Sequence, residues 1–464
     1  MTTPPIALEN GQEWKILESA AAFSSDKYKD LIEDNHARID QRRRRGLSLR
    51  LSDREGKVLA HRTFRLRQVR SDFLWGFCGA GIMDACHDPQ KLNEDVTRRN
   101  LLYMARLFNA VNLLNYWQEW SWKEAQKGEE FMGYQNYDTL DRAVQWACGH
   151  GLVAKGHPLW WGVPKAIPTW MDRFDAKKRS MFREVRLRQI VNRFKGRISV
   201  YDAVNEAIWE PTLAKTATRH WPHNTPIPEL AQDLAEVMAI VRDEDPNATM
   251  VINDYGHFIG DPAKIPVACN DGTYVSHEDQ AHRYRELMMA LKDLGAAPDA
   301  MGFQGFSAIG KLEQHVATYD FLAKAGLPIH VTEFHSGGKQ AADLLKAGVP
   351  RNEIIDQIAE YADASMVLAF AHPALEAFFF WYDQDYLFDD RGLPSAWYKR
   401  IYQRIHKDWT TDVVLTTDAD GLLRTRAFTG SYRLSFEEPG VSPTGAHLSI
   451  PAASRGELAL NILI

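Results

Sequence analysis

Two acidic residues are placed to do chemistry. The stretch Tyr201–Trp209 reads Tyr-Asp-Ala-Val-Asn-Glu-Ala-Ile-Trp, an apolar, β-leaning run that stops at Asn205-Glu206. A strand ending in an amide beside a carboxylate is either a polar strand end meeting solvent or a catalytic acid beside a hydroxyl-binding Asn. A second run of this kind, Ile-His-Val-Thr-Glu-Phe at 329–334, carries Glu333. Paired carboxylates at strand ends suit glycosidic bond cleavage. One protonates the leaving oxygen, and the other attacks the sugar or activates water. The plainer reading is two structural acids paired with Arg or Lys.

Elements that could bring them together follow in order. Apolar runs at 73–78, 108–114, 152–156, 198–205, 249–253, 300–304, 328–332 and 377–381 alternate with helical patterns at 89–107, 137–148, 173–194, 229–243, 278–294, 312–325, 352–370 and 395–406. Eight short buried strands alternating with helices predict a parallel sheet, closed as a (β/α)8 barrel over residues 73–407. An open doubly wound sheet would carry a Gly-rich phosphate turn after its first strand, and Gly76-Phe77-Cys78-Gly79-Ala80-Gly81 matches one poorly. That also argues against nucleotide chemistry. Residues 1–72 hold a charged helix ending in Arg42–Arg45, read as a solvated face, and an alternating segment, Leu47–Leu66, read as a hairpin. Residues 408–464 read as a small all-β unit. An isolated hairpin is marginal in water, so the hairpin is expected to join it.

In a barrel the site lies at the C-terminal strand ends. There stand Asn115 with Trp117, Glu119, Trp120 and Trp122; His157 with Trp160 and Trp161; Asn205 and Glu206; Asn253, Asp254 and Tyr255; Gln304; Glu333 and His335; and Trp381 with Asp383 and Asp385. The tryptophans fit either core packing or sugar stacking. Asp383 and Asp385 have no accompanying ligand set, so no metal is expected, and no cofactor.

Composition bounds the partners. A net charge of −6 over 464 residues, with 25% charged and 45% hydrophobic residues, fits a globular protein and argues against a nucleic-acid partner. Four cysteines (78, 86, 148, 269) match no metal spacing and read as free thiols, mostly buried. Without an apolar leader or an 18-residue apolar run, the expectation is a cytoplasmic protein with no membrane partner, or an exported one if a signal peptide has been lost. Oligomeric state is not indicated.

The motifs resemble glycoside hydrolase family 10, the endo-β-1,4-xylanases. Tyr-Asp-Ala-Val-Asn-Glu (201–206) is similar to the family's Trp-Asp-Val-Val-Asn-Glu, and Ile-His-Val-Thr-Glu-Phe to its Ile-Thr-Glu-Leu segment. Lys-Gly-His-Pro-Leu-Trp-Trp (155–161), Asn253-Asp254-Tyr255 and Met-Gly-Phe-Gln (301–304) match further motifs in order. The resemblance implies a barrel, a retaining mechanism and a carbohydrate substrate. It makes Glu206 the acid/base and Glu333 the nucleophile. It assigns Asn205 to the sugar 2-hydroxyl. Asn115, His157, Trp161 and Gln304 then line the glycone side, Tyr255 joins the substrate-binding set, and Trp381 forms the floor.

Departures are equally specific. The family's Glu-Asn-x-x-Lys is Leu114-Asn115-Tyr116-Trp117-Gln118 here, and Gln-x-His is Gln304-Gly305-Phe306, so a His that bonds the nucleophile is missing. His335 stands where an Asp follows the nucleophile, and is expected to orient Glu333 or to face solvent. These changes leave xylan itself open, with aryl glycosides or chain ends as other substrates. A non-catalytic sugar-binding protein on a decayed barrel is the other class.

Overall fold

The computed structural model describes residues 27–88, 90–91, 94–117, 135–163, 166–209, 225–260, 264–268, 274–305, 312–335, 337–381, 384–437, 445–452 and 456–464. Eight parallel strands form the barrel: Leu74–Cys78, Ala110–Leu114, Val153–His157, Ile198–Asn205, Thr249–Asp254, Ala300–Phe303, Ile329–Phe334 and Leu375–Phe380, numbered first to eighth below. They are hydrogen-bonded in sequence order, and the first meets the eighth, closing the ring. Most of their residues are buried, so each reads as an apolar run without alternation. Register aligns the site: Leu114 pairs with His157, Asn205 with Asn253, and Gly302 with Asn253. A two-residue strand, Trp160–Trp161, adds to the fourth strand and sets Trp161 opposite Asn205.

Some helices start on capping side chains. Asp175 accepts from the Lys178 N–H to begin Ala176–Phe194, and Ser276 with Asp279 forms a reciprocal capping box before His277–Asp293. Among the described residues, two α-helices fall outside the sequence pattern, Ala80–His87 and Gly338–Lys346.

Two compact units divide the chain. One takes Trp75–Ile354 and Ala377–Leu393; the other takes the described residues up to Leu74, with Ile355–Glu376 and Pro394–Ile464. The second unit holds a sandwich of two sheets. Arg44–Ser52 lies between Leu422–Phe428 and Leu458–Leu463 in one. In the other, Thr63–Ser71 and Gly430–Phe436 lie between Asp412–Thr416 and Gly445–Ile450. The N-terminal strands do join the C-terminal unit, but they do not form the expected hairpin. Each enters a different sheet, and a single bridge, Ser52 to Val58, connects the segment. The physical reason is burial: Leu47, Leu49 and Leu51 pack against Phe64, Leu66, Tyr432 and Leu434 in one core. A paired hairpin would set both rows side by side on one face.

The arginine run is not a solvated helix face either. The helix Lys29–Arg43 ends there, and Arg44–Ser52 is already strand. Arg43 turns in to donate to the carbonyls of Phe370 at 2.6 Å, and of His372 and Leu375 at 2.8 Å each. It thereby closes the C-terminal end of the helix Arg351–Ala371. Burial pulls its guanidinium down to about 10, against the opposing charge of Glu376. Cys78 and Cys86 are buried and Cys148 is exposed, and among the described residues no disulfide links them. Cys269 lies outside the described residues.

Candidate active site

Glu206 and Glu333 both stand at the C-terminal ends of barrel strands, the fourth and the seventh. Glu206 sits just past its strand in a left-handed backbone with φ 56°, rare for a residue with a Cβ. Its N–H donates to the Asn253 carbonyl at 2.6 Å, which fixes the turn. Both its carboxyl oxygens are held: Trp161 Nε1 donates to Oε2 at 2.8 Å and Gln304 Nε2 to Oε1 at 3.2 Å. Three sequence-nominated residues from three strand ends therefore meet on one carboxyl group.

Glu333 is buried at 5% exposure. Asn253 Nδ2 donates to its Oε1 at 2.7 Å and to Asn205 Oδ1 at 2.7 Å, so one amide ties the fourth, fifth and seventh strands together. Thr332 Oγ donates in turn to Asn253 Oδ1. Gly302 makes room for this amide: a Cβ there would lie 2.8 Å from Asn253 Cα and 2.9 Å from its Oδ1. Burial, then the charges of Glu206 and Asp202, push the Glu333 carboxyl well above the usual range, while Asn253 and Lys155 pull it back. A charge on either glutamate therefore opposes ionisation of the other.

Beneath them lies a buried charge cluster. Asp202 Oδ2 receives Lys155 Nζ at 2.5 Å and His157 Nδ1 at 2.6 Å. His157 Nε2 lies 3.8 Å from Glu333 Oε1. Burial alone would raise the Asp202 carboxyl, but Lys155 and His157 hold it below its ordinary value. Burial lowers His157 despite its Asp202 partner, so it is a neutral imidazole at neutral pH. Lys155, Asp202 and Asn253 stood inside the quoted motifs without being assigned roles. The available signal was a Lys and an Asp inside otherwise apolar barrel strands, where charge must be paired.

The remaining nominated residues surround this centre. Asn115 is buried, its backbone held by Arg186 at 2.7 Å and by the His157 carbonyl at 2.8 Å, and its side-chain amide has no partner. Trp381 is buried with its ring 5.1 Å from His157, edge to face. Tyr116 packs 5.8 Å from His157 and 5.5 Å from Trp161. Tyr255 stacks on Trp209 at 5.1 Å, and Trp209 Nε1 donates to its carbonyl at 2.7 Å. Trp117 is a core residue, edge-on to Trp160 and Trp170. His335 is half-buried at the end of the seventh strand. The groups meeting the Glu333 carboxyl are Asn253 and His157. Glu119, Trp120, Trp122 and Asp383 lie outside the described residues, as does the side chain of Asp385. Among the described residues no group of His, Cys, Asp and Glu is arranged to hold a metal ion. No described helix is long and apolar enough to cross a membrane.

A closed parallel (β/α)8 barrel with two carboxyl groups at the C-terminal ends of its strands fits the class of glycoside hydrolases that work through a carboxyl pair. Within that class the chain belongs to glycosyl hydrolase family 10, whose profile matches residues 78–388. It is 24% identical over 405 residues to endo-1,4-beta-xylanase 1 of Arabidopsis thaliana, covering 85% of this chain and 36% of that protein. It is 22% identical over 422 residues to the anti-sigma-I factor RsgI6 of Acetivibrio thermocellus, covering 88% and 47%. The chain thus spans about a third to a half of the length of the curated relatives it matches. Native xylanase 10B from Thermotoga maritima shares the fold, with a TM-score of 0.53 and 20% identity, over 73% of this chain and 96% of that one.

Proposed function

We propose that the chain is a retaining hydrolase of β-glycosidic bonds in a plant-type or related polysaccharide, oligosaccharide or glycoside, xylanase-like but with altered glycone subsites. The observation that carries this reading is the shared negative site. Glu333 is buried, its ionisation opposed by Glu206, and each is held by amide or indole N–H donors from neighbouring strands. In such a pair, negative charge on one carboxyl group favours the proton on the other. With the proton on Glu206, the Asn253 amide and Lys155 favour the Glu333 anion, which attacks the anomeric carbon while Glu206 protonates the leaving oxygen. Once Glu333 is esterified its charge is gone. The donors on both Glu206 oxygens then suit the carboxylate that draws a proton from water and releases the sugar.

Substrate contacts follow the strand ends. Asn205 binds the sugar 2-hydroxyl at the cleavage position, and the unpartnered amide of buried Asn115 awaits a hydroxyl, because a buried polar group of that kind needs a partner. His157, Trp161 and Gln304 line the glycone side, Trp381 the floor, and Tyr255 extends the binding surface. His335, two residues beyond Glu333, is the candidate to orient that carboxyl group. Leu114 in place of the family's Glu removes a polar grip one sugar further out, so substrates relying on that grip are poorer here. A panel of aryl β-glycosides and xylo-oligosaccharides, with Glu333→Ala as the blank, tests the reading. Turnover with net retention of the anomer, read by proton NMR, is expected. Oligosaccharide binding without turnover of any member would leave a sugar-binding protein instead.

A further inference from the structure

The cluster under the two glutamates contains a cation with no obvious task. Lys155 is fully buried, and its ammonium lies 2.5 Å from Asp202 and 5.1 Å from the Phe379 ring centroid. Asp202 Oδ2 also receives His157 Nδ1, whereas its Oδ1 has no hydrogen-bond partner. The far nitrogen of His157 points at Glu333, at 3.8 Å. Among the described residues, the titratable groups facing this chain of contacts are His330 and Glu333 from the seventh strand and Glu206 from the end of the fourth. Tyr284 and Asp254 approach from the fifth-strand side.

A buried carboxylate needs one balancing positive charge. Were Lys155 absent, His157 would be the group able to supply it. An imidazolium there would carry a proton on Nε2, directed at the nucleophile, and would form an ion pair with Glu333 that blunts its attack. With Lys155 present, Asp202 is already balanced. His157 then stays neutral, with Nδ1–H donating to Asp202 and an Nε2 lone pair left for a sugar hydroxyl.

We propose that Lys155 is a positioning residue for the reaction: by neutralising Asp202 it keeps His157 uncharged and so keeps Glu333 free to act as nucleophile. This rests on the proposed assignment of Glu333. It also fits a sequence in which Phe306 takes the place of the family's histidine, since the nucleophile is then governed from the third and fourth strands.

Two readouts test it, one independent of turnover. In wild-type protein labelled with 15N-histidine, with His157→Asn as the assignment blank, His157 should remain the neutral Nδ1–H tautomer from pH 8 down to pH 5. An imidazolium at pH 6 would overturn the proposal without any Lys155 variant. In Lys155→Met, checked for folding by near-ultraviolet circular dichroism, His157 should become protonated. The acid limb of kcat/KM should move up by about one pH unit. Lys155→Arg should restore the wild-type limb. A folded Lys155→Met protein whose rate falls equally at every pH, with unchanged His157 signals, would make Lys155 merely structural. If wild type turns nothing over, the enzyme reading falls, while the tautomer measurement still decides the charge assignment.

Discussion

At the residue scale, the site is built around a carboxyl group the fold makes uncomfortable. Burial and the charge of Glu206 hold the Glu333 carboxyl well above its ordinary value. The folded state thus binds more protons than the unfolded chain between the two values, so its stability falls as pH rises through that window. Glu333→Gln removes the titration. The variant should match wild type in melting temperature near pH 4, where both forms are neutral, and melt higher at pH 7. Equal melting temperatures at both pH values would show that Glu333 ionises without cost. His157, Trp161, Gln304 and Asn115 were legible in the sequence because polar or indole groups stood at strand ends. Lys155 and Asp202 were not, because a buried ion pair looks like an interruption of two separate strands until their closeness is known.

At the element scale, the barrel strands were legible because runs such as Ile198–Asn205 are apolar throughout and stop at polar residues. Strands of the sandwich were harder. Leu458–Leu463 is half exposed along its length and carries no turn signal. The partners of Arg44–Ser52 lie hundreds of residues away. Local periodicity fixes which face of such a strand is buried, but not which strand it meets. Close strand approach also sets the site's tolerance. Gly302→Ala would press a methyl group against Asn253 and shift the amide that holds Glu333. A loss in kcat/KM of about 10- to 100-fold is expected, with roughly 1–3 kcal/mol of stability. Steady-state kinetics and urea unfolding would measure both. Arg43 is the corresponding point in the second unit. Arg43→Met keeps the aliphatic stem but leaves the carbonyls of Phe370, His372 and Leu375 without their donor. Chemical denaturation should show a loss of about 2–4 kcal/mol in the unit that contains it.

At the scale of the whole molecule, the family match and the sandwich divide the chain unevenly. The match covers residues 78–388, and the sandwich draws strands from both sides of it. Arg44–Ser52 is the middle strand of three, and Thr63–Ser71 is an inner strand of four. A chain started at residue 73 should therefore lose the sandwich altogether. The expected result is rapid proteolysis between residues 408 and 464, with dye binding to newly exposed apolar surface. Protection equal to that of the full chain would show that the remaining strands can pair on their own.

The same strand order has a consequence for synthesis. About 340 residues separate Ser71 from the next sandwich strand, which begins at Asp412. At roughly 5–20 residues per second, the first two strands leave the ribosome tens of seconds before any partner exists. During that interval Leu47, Leu49, Leu51, Phe64 and Leu66 are apolar rows without a core. The sandwich is thus a late product of translation, and its earliest strands stay without their partners until the last ones are made.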